Sequence, residues 1–295
     1  LVRLTSSYRL IKEVGKLHRK TIFYMAFVAF VLGVYFTSNT LNLNFDDLVL
    51  EPLLVIIFLT QPLLILLNSL ELKLCGHAVG VDMSFHDSIY IGSSASLANI
   101  LPLPAGLLVR GSFLVQRGGN LGFVSKILLV AGIMWLAVSM ILSGTVISES
   151  SISLTFTILG VAMVLALMAY ITLISQFMIA FGFLLIRAVM VGIFALQLKL
   201  CFAVLGEVAS FRDSAVYVVS GIAGAVVSIV PAGLGLTEAF GALLAKLDGA
   251  SPAFAYIVLS LNRLIGFAMV GLTFFLFANV KPDFGRKMRY GKLDR

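Results

Sequence analysis

Residues 72–88 read Leu-Lys-Leu-Cys-Gly-His-Ala-Val-Gly-Val-Asp-Met-Ser-Phe-His-Asp-Ser, and residues 198–214 read Leu-Lys-Leu-Cys-Phe-Ala-Val-Leu-Gly-Glu-Val-Ala-Ser-Phe-Arg-Asp-Ser. Laid side by side without a gap, they agree at nine of 17 positions: the Leu-Lys-Leu-Cys runs at 72–75 and 198–201, Gly80 with Gly206, Ser84-Phe85 with Ser210-Phe211, and Asp87-Ser88 with Asp213-Ser214. After a slip of one residue, Pro104-Ala105-Gly106 lines up with Pro231-Ala232-Gly233. The chain repeats itself, and the fold turns on how the two copies are oriented.

The surroundings of both copies are apolar. Of 295 residues, 60% are hydrophobic and 12% charged, and the mean hydropathy is +1.07. Soluble domains carry roughly 25% charged residues, so a soluble enzyme, a disordered chain and a nucleic-acid binder are excluded. Runs long enough for the ~20 residues of a membrane span lie at 21–38, 50–72, 125–147, 152–174, 177–200 and 252–279. The first ends in Thr37-Ser38-Asn39 without a small-residue cleavage pattern, so it reads as a span rather than a signal.

Two further apolar stretches, 85–118 and 211–247, are interrupted by Ile-Leu-Pro-Leu-Pro-Ala-Gly at 100–106 and Ile-Val-Pro-Ala-Gly-Leu-Gly at 229–235. Proline removes a backbone donor and glycine tolerates strained dihedrals. Pro102, Pro104, Gly106, Pro231, Gly233 and Gly235 therefore mark the breaks. Most of the flanking pieces are too short, at 1.5 Å per residue, for a ~30 Å hydrocarbon core. Each stretch is expected to be a re-entrant hairpin of two half-helices; two short tilted spans are the alternative. Either way an odd number of crossings separates position 72 from position 198, so the second copy is upside down. The expected fold is all-α and polytopic, with two inverted repeats, each of three transmembrane helices and one re-entrant hairpin. The first repeat covers 21–147 and the second 152–280, between a basic segment 1–20 and a basic tail 281–295.

Six of the 21 Lys and Arg lie in residues 1–20 and six in 281–295. Under the positive-inside rule both termini are expected in the cytoplasm, with the protein multi-pass in the cytoplasmic (inner) membrane. Cys75 and Cys201 then lie near opposite faces and do not pair.

Ionisable groups inside a bilayer cost at least ~2.5–3.5 kcal/mol and are functional candidates by default. Arg187 and Arg263 sit near the middle of their spans, and Arg110 and Glu238 near the start of the second half-helix of each hairpin. A helix N-terminus favours Glu238, with Thr237 as a capping candidate, and disfavours Arg110. Arg110 thus calls for a negative partner: Glu71, Asp87 or an anionic ligand. Arg187 and Arg263 have Glu238 as a structural partner. Three Arg against one Glu suit a phosphate or other anionic headgroup, with Glu238 as a proton carrier or partner of a cationic group. Asn99, Asn262, Gln197 and Ser228 are further polar candidates. No HExxH, GxSxG or Walker loop occurs. His77, His86, Asp82 and Asp87 fit no standard metal spacing. No metal, cofactor or catalytic pair is expected, and any transport is passive, ion-coupled or partner-driven.

Val-Pro-Ala-Gly-Leu-Gly-Leu-Thr-Glu at 230–238 resembles the Pro-Gly-Gly-Leu-Gly-x-x-Glu motif in the membrane region of the lysylphosphatidylglycerol synthetase and flippase family and its stand-alone relatives. Gly249-Ala250-Ser251, Asn262-Arg263-Leu264, and Asn99-Ile100-Leu101-Pro102 through Arg110 resemble the same family. The resemblance implies translocation of a lipid or lipid-linked precursor between leaflets. Pro104-Ala105-Gly106-Leu107 departs from the pattern, lacking the basic residue and Glu often found there. The family's aminoacyl-transfer domain is not in the sequence, so lipid lysylation is not expected. The expected cargo is a membrane lipid with an anionic headgroup or an isoprenoid phosphate. The rivals are a secondary transporter of a small anion and a non-transporting subunit that partners a membrane or cytoplasmic enzyme of lipid or glycan modification.

Overall fold

The computed structural model describes residues 24–43, 46, 48–99, 105–148, 150–226 and 233–278. Pro102, Pro104, Pro231, Ser228 and both basic termini lie outside them. The described residues are helices joined by short turns and connections, with no strand among them. In chain order the helices are α1 Tyr24–Thr40, α2 Leu50–Ala78, α3 Phe85–Ala98, α4 Ala105–Gln116, α5 Leu121–Val146, α6 Ser150–Ile174, α7 Phe177–Val204, α8 Phe211–Ala215, α9 Val218–Val226, α10 Leu236–Leu247 and α11 Pro252–Ala278. Five of them, α2, α5, α6, α7 and α11, are long and apolar enough to cross a bilayer. This is a multi-pass helical membrane protein. The described part of α1 is shorter, 17 residues or about 25 Å, and packs on α11 where a Cβ at Gly33 would overlap Tyr256.

Two spans outrun their apolar stretches. The run at 50–72 loses apolarity at Glu71 and Lys73, yet α2 continues to Ala78 because Glu71 is buried and paired rather than solvated. The run at 177–200 likewise extends to Val204. Within α2, residues Ile56–Thr60 widen into a π-helical turn. Pro62 lies two residues beyond it; it has no N–H for the carbonyl four residues back, and the looser turn absorbs that mismatch.

The repeated sequence repeats local structure as well. Helices α2 and α7 end at Ala78 and Val204, and α3 and α8 begin at Phe85 and Phe211. Gly80 and Gly206 turn the chain between them at φ +74° and +77°, a conformation that a side chain would strain. Ser84 and Ser210 are the N-caps, accepting from the N–H of Asp87 (3.0 Å) and Asp213 (3.2 Å).

Helices α2 and α7 cross as antiparallel neighbours. Gln61, early on α2, accepts from Gln197 Nε2, late on α7, at 2.8 Å, while Glu71, late on α2, is ion-paired with Arg187, earlier on α7. In the register that pairs Leu72 with Leu198, Gln61 corresponds to Arg187 and Glu71 to Gln197. The two contacts therefore exchange when the copies exchange. Helices α5 and α6, joined by a short connection, run side by side, and Gly144 and Gly160 let their backbones approach.

The first arm of the second hairpin is two short helices rather than the one expected. Ser143 Oγ of α5 donates to Ala215 O at 2.9 Å and accepts from Val219 N at 3.2 Å. These are the two ends of one helical i→i+4 bond, and an inserted side chain breaks the ladder there. Ser143→Ala leaves both groups buried without a partner. It is expected to lower stability by about 1–3 kcal/mol, read as a shift of the unfolding midpoint in detergent; an unchanged midpoint would show that the helix closes on its own.

Candidate functional site

A cavity of about 650 Å³ lies among α2, α3, α4, α5, α7, α9, α10 and α11. Hairpin geometry opens it. Helices α3 and α4 have 14 and 12 residues, about 21 and 18 Å, and their near ends are tied where Asn99 Oδ1 accepts from Gly106 N at 2.9 Å. A Cβ at Gly106 would overlap that amide, so glycine is what lets the arms meet.

Five of the six expected ligand-binding residues line the cavity: Arg110, Arg187, Arg263, Thr237 and Asn262. The sixth, Glu238, is fully buried behind it. Glu238 Oε1 takes the Arg263 Nε at 3.0 Å, and its Oε2 accepts from Gly235 N at 2.9 Å. Thus Glu238, not Thr237, caps α10; Thr237 Oγ1 makes no hydrogen bond among the described residues. Gly106 and Gly233 also line the cavity.

Arg187 pairs with Glu71 rather than with Glu238, and its guanidinium lies 4.7 Å from the centre of the Trp135 ring. Arg110 sits in the second turn of α4, not the first. Its Nη2 donates to Asn68 Oδ1 at 3.1 Å, and no carboxylate lies within ion-pair distance of it among the described residues. Asp87, its other sequence candidate, pairs with Arg117 at 3.0 Å. The lining and its buried backing therefore hold three guanidinium groups and two carboxylates, Glu71 and Glu238, and the surplus positive charge belongs to Arg110.

Asn99 lines the cavity as expected; Gln197 is buried against Gln61. Sequence reasoning missed Gln61, Asn68 and Trp135, and saw Glu71 only as a partner for Arg110. The repeat register carried a signal for two of them, since it sets Gln61 against Arg187 and Glu71 against Gln197. His86 faces the Phe277 ring instead of a ligand cluster, and no group of three or more metal-ligating side chains occurs among the described residues.

A second, apolar groove of about 420 Å³ runs along the outer side of α4 and α5, lined by Leu108, Gly111, Val115 and Leu121 among others. It shares Leu107 and Leu128 with the cavity. Leu107 and Leu129 line the cavity and are 39% and 56% exposed, so cavity and groove adjoin along α4 and α5. No protein-family model matches the chain, and no curated protein and no solved structure matches it either.

Proposed function

We propose that this protein is a flippase-like carrier that moves an anionic lipid or lipid-linked precursor between the leaflets of the cytoplasmic membrane. The observation that carries the reading is the junction of two unlike spaces at Leu107 and Leu128. One is a chamber whose largely apolar lining carries a surplus guanidinium, and the other an apolar groove on the outer side of the helices. A soluble anion needs only the chamber. A lipid needs both, its phosphate against Arg110 and its chains in the groove or the surrounding bilayer.

In this reading the chain is two inverted repeats with re-entrant hairpins, both termini cytoplasmic. The antiparallel pairing of α2 with α7, and the exchange of their two polar contacts under the repeat register, support the inversion. The short, tip-bonded arms α3 and α4 support re-entrance. Broken helices at equivalent places of inverted repeats are the transporter arrangement. The likeness of residues 230–238 to the lysylphosphatidylglycerol flippase family points the same way.

Reconstituted vesicles carrying a fluorescent anionic phospholipid test the reading. The protein is expected to expose inner-leaflet label to an external quencher, and Arg110→Gln to slow this at least tenfold. A charged hydrogen bond contributes about 1.5–3 kcal/mol, and tenfold is 1.4 kcal/mol. Uptake of a free phosphate ester with no lipid movement would replace this reading with that of a small-anion transporter.

A further inference from the structure

We infer that the headgroup this site takes is a phosphate bearing hydroxyl groups, such as a phosphoglycerol or a phospho-sugar, and that amine-bearing headgroups are turned away. The inference rests on the proposed lipid-carrier reading for the origin of the headgroup, but not for its chemistry.

Charge decides against an amine. An ammonium brought into the membrane interior needs a carboxylate of its own. Glu238 is fully buried and committed to Arg263 and to the α10 cap. Glu71 is committed to Arg187, and Arg110 acts on it electrostatically as well. The uncompensated charge of the chamber is the Arg110 guanidinium. An anion enters with a partner waiting, whereas a cationic group meets a like charge, and a zwitterion gains at one end what it loses at the other.

The remaining polar atoms favour hydroxyls. Thr237, Asn262 and Ser93 are 4%, 8% and 3% exposed, line the same cavity and leave Oγ1, Oδ1 and Oγ without hydrogen-bond partners among the described residues. Glu71 Oε2 is a fourth such atom and Trp135 Nε1 a fifth. Buried polar groups are otherwise nearly always satisfied. Two of these atoms accept only, one donates only, and two are hydroxyl oxygens that both donate and accept. That set matches the hydroxyls of a glycerol or a sugar, each able to donate to Asn262 or Glu71 and to exchange bonds with Thr237 or Ser93.

Trp135 is the sole tryptophan of the sequence and lines the cavity, so its fluorescence reports occupancy directly. The purified full chain in mild detergent is titrated with dioctanoylphosphatidylglycerol, dioctanoylphosphatidylethanolamine, farnesyl phosphoglucose and glycerol 1-phosphate. The expected result is a saturable change with phosphatidylglycerol or farnesyl phosphoglucose, at a Kd at least tenfold below that of phosphatidylethanolamine. The tighter of the two names the glycerolipid or the isoprenoid source. Asn262→Ala, checked for an unchanged elution profile, is expected to shrink the preference over phosphatidylethanolamine to under threefold. Equal affinity for phosphatidylglycerol and phosphatidylethanolamine would overturn the headgroup inference while leaving the lipid reading in place. Glycerol 1-phosphate binding as tightly as phosphatidylglycerol would uphold the headgroup chemistry and remove the lipid reading. A signal with none of the four would overturn both.

Discussion

Arg187→Gln alone is expected to destabilise the protein by about 3–5 kcal/mol, and the double variant Arg187→Gln, Glu71→Gln to recover most of that loss. Both side chains of the pair are at most 3% exposed, so removing the guanidinium leaves a poorly solvated carboxylate without its charge partner. Glu71→Gln alone strands the arginine in the same way. The double variant strands neither. It also rebuilds at this site an amide pair that the molecule already contains, because Gln61 and Gln197 occupy the repeat-equivalent positions and bond at 2.8 Å. Denaturant unfolding of the four proteins in detergent gives the coupling. Additive losses in the two single variants would mean that the ion pair does not act as a unit. The double variant removes one positive and one negative charge together, so the surplus at Arg110 survives. With an amide oxygen still available at position 71 to accept from the headgroup, it should still move lipid, whereas Arg110→Gln should not. That contrast separates a guanidinium that ties the halves together from one that meets the cargo.

Much of this was legible before any coordinates. Apolar run length located the long spans, since a run of ~20 apolar residues has few homes besides a bilayer. Proline and glycine located the breaks, and the Leu-Lys-Leu-Cys runs paired the halves. Partner choice was not legible. Nothing local distinguishes Glu71 from Glu238 as the mate of Arg187; the choice is made by which helix crosses α7 at that level, a property of packing. The break at Val216–Tyr217 escaped notice for a related reason. Its cause, Ser143, lies on another helix some 70 residues away, and the local sequence carries no proline or glycine there. The apolar groove was invisible too, because a groove is a gap between side chains that each look ordinary.

Those packing differences also break the symmetry of the halves. Both second arms carry a glycine facing a leucine of the following helix. Gly111 of α4 faces Leu128 of α5 at a distance that leaves a Cβ in ordinary contact, 3.6 Å. On the other second arm, a Cβ on Gly241 of α10 would overlap Leu259 of α11. One arm is pressed shut against its neighbour while the other leaves a groove. Their anchors differ as well. Arg117, just past α4, is tied back to Asp87 of its own hairpin, whereas Asp248, just past α10, accepts two hydrogen bonds from Ser148 in the connection after α5. The two halves thus differ in packing among the described residues, and in the proposed carrier this difference puts the groove on the α4 side.

Filling the groove is expected to stop lipid movement without unfolding the protein. Gly111→Ala fits the space and removes a helix-interior glycine, a gain of about 0.5–1 kcal/mol; activity should remain. Gly111→Phe projects a ring among Leu107, Val115 and Leu128, where the proposed chain passes. Lipid exposure in the vesicle assay should fall at least tenfold, while the elution profile and unfolding midpoint stay close to those of Gly111→Ala. Gly241→Ala serves as the contrast. Its methyl must displace Leu259, which is 2% exposed, at a cost of about 1–3 kcal/mol, so the same small substitution stabilises one half and destabilises the other. If Gly111→Phe moved lipid as fast as Gly111→Ala, the groove would not be the path of the chains and would lose its part in the mechanism. If Gly241→Ala instead cost nothing, α10 would be free to leave α11, and the closed half would be held by its anchors at Asp248 and Ser148 rather than by packing.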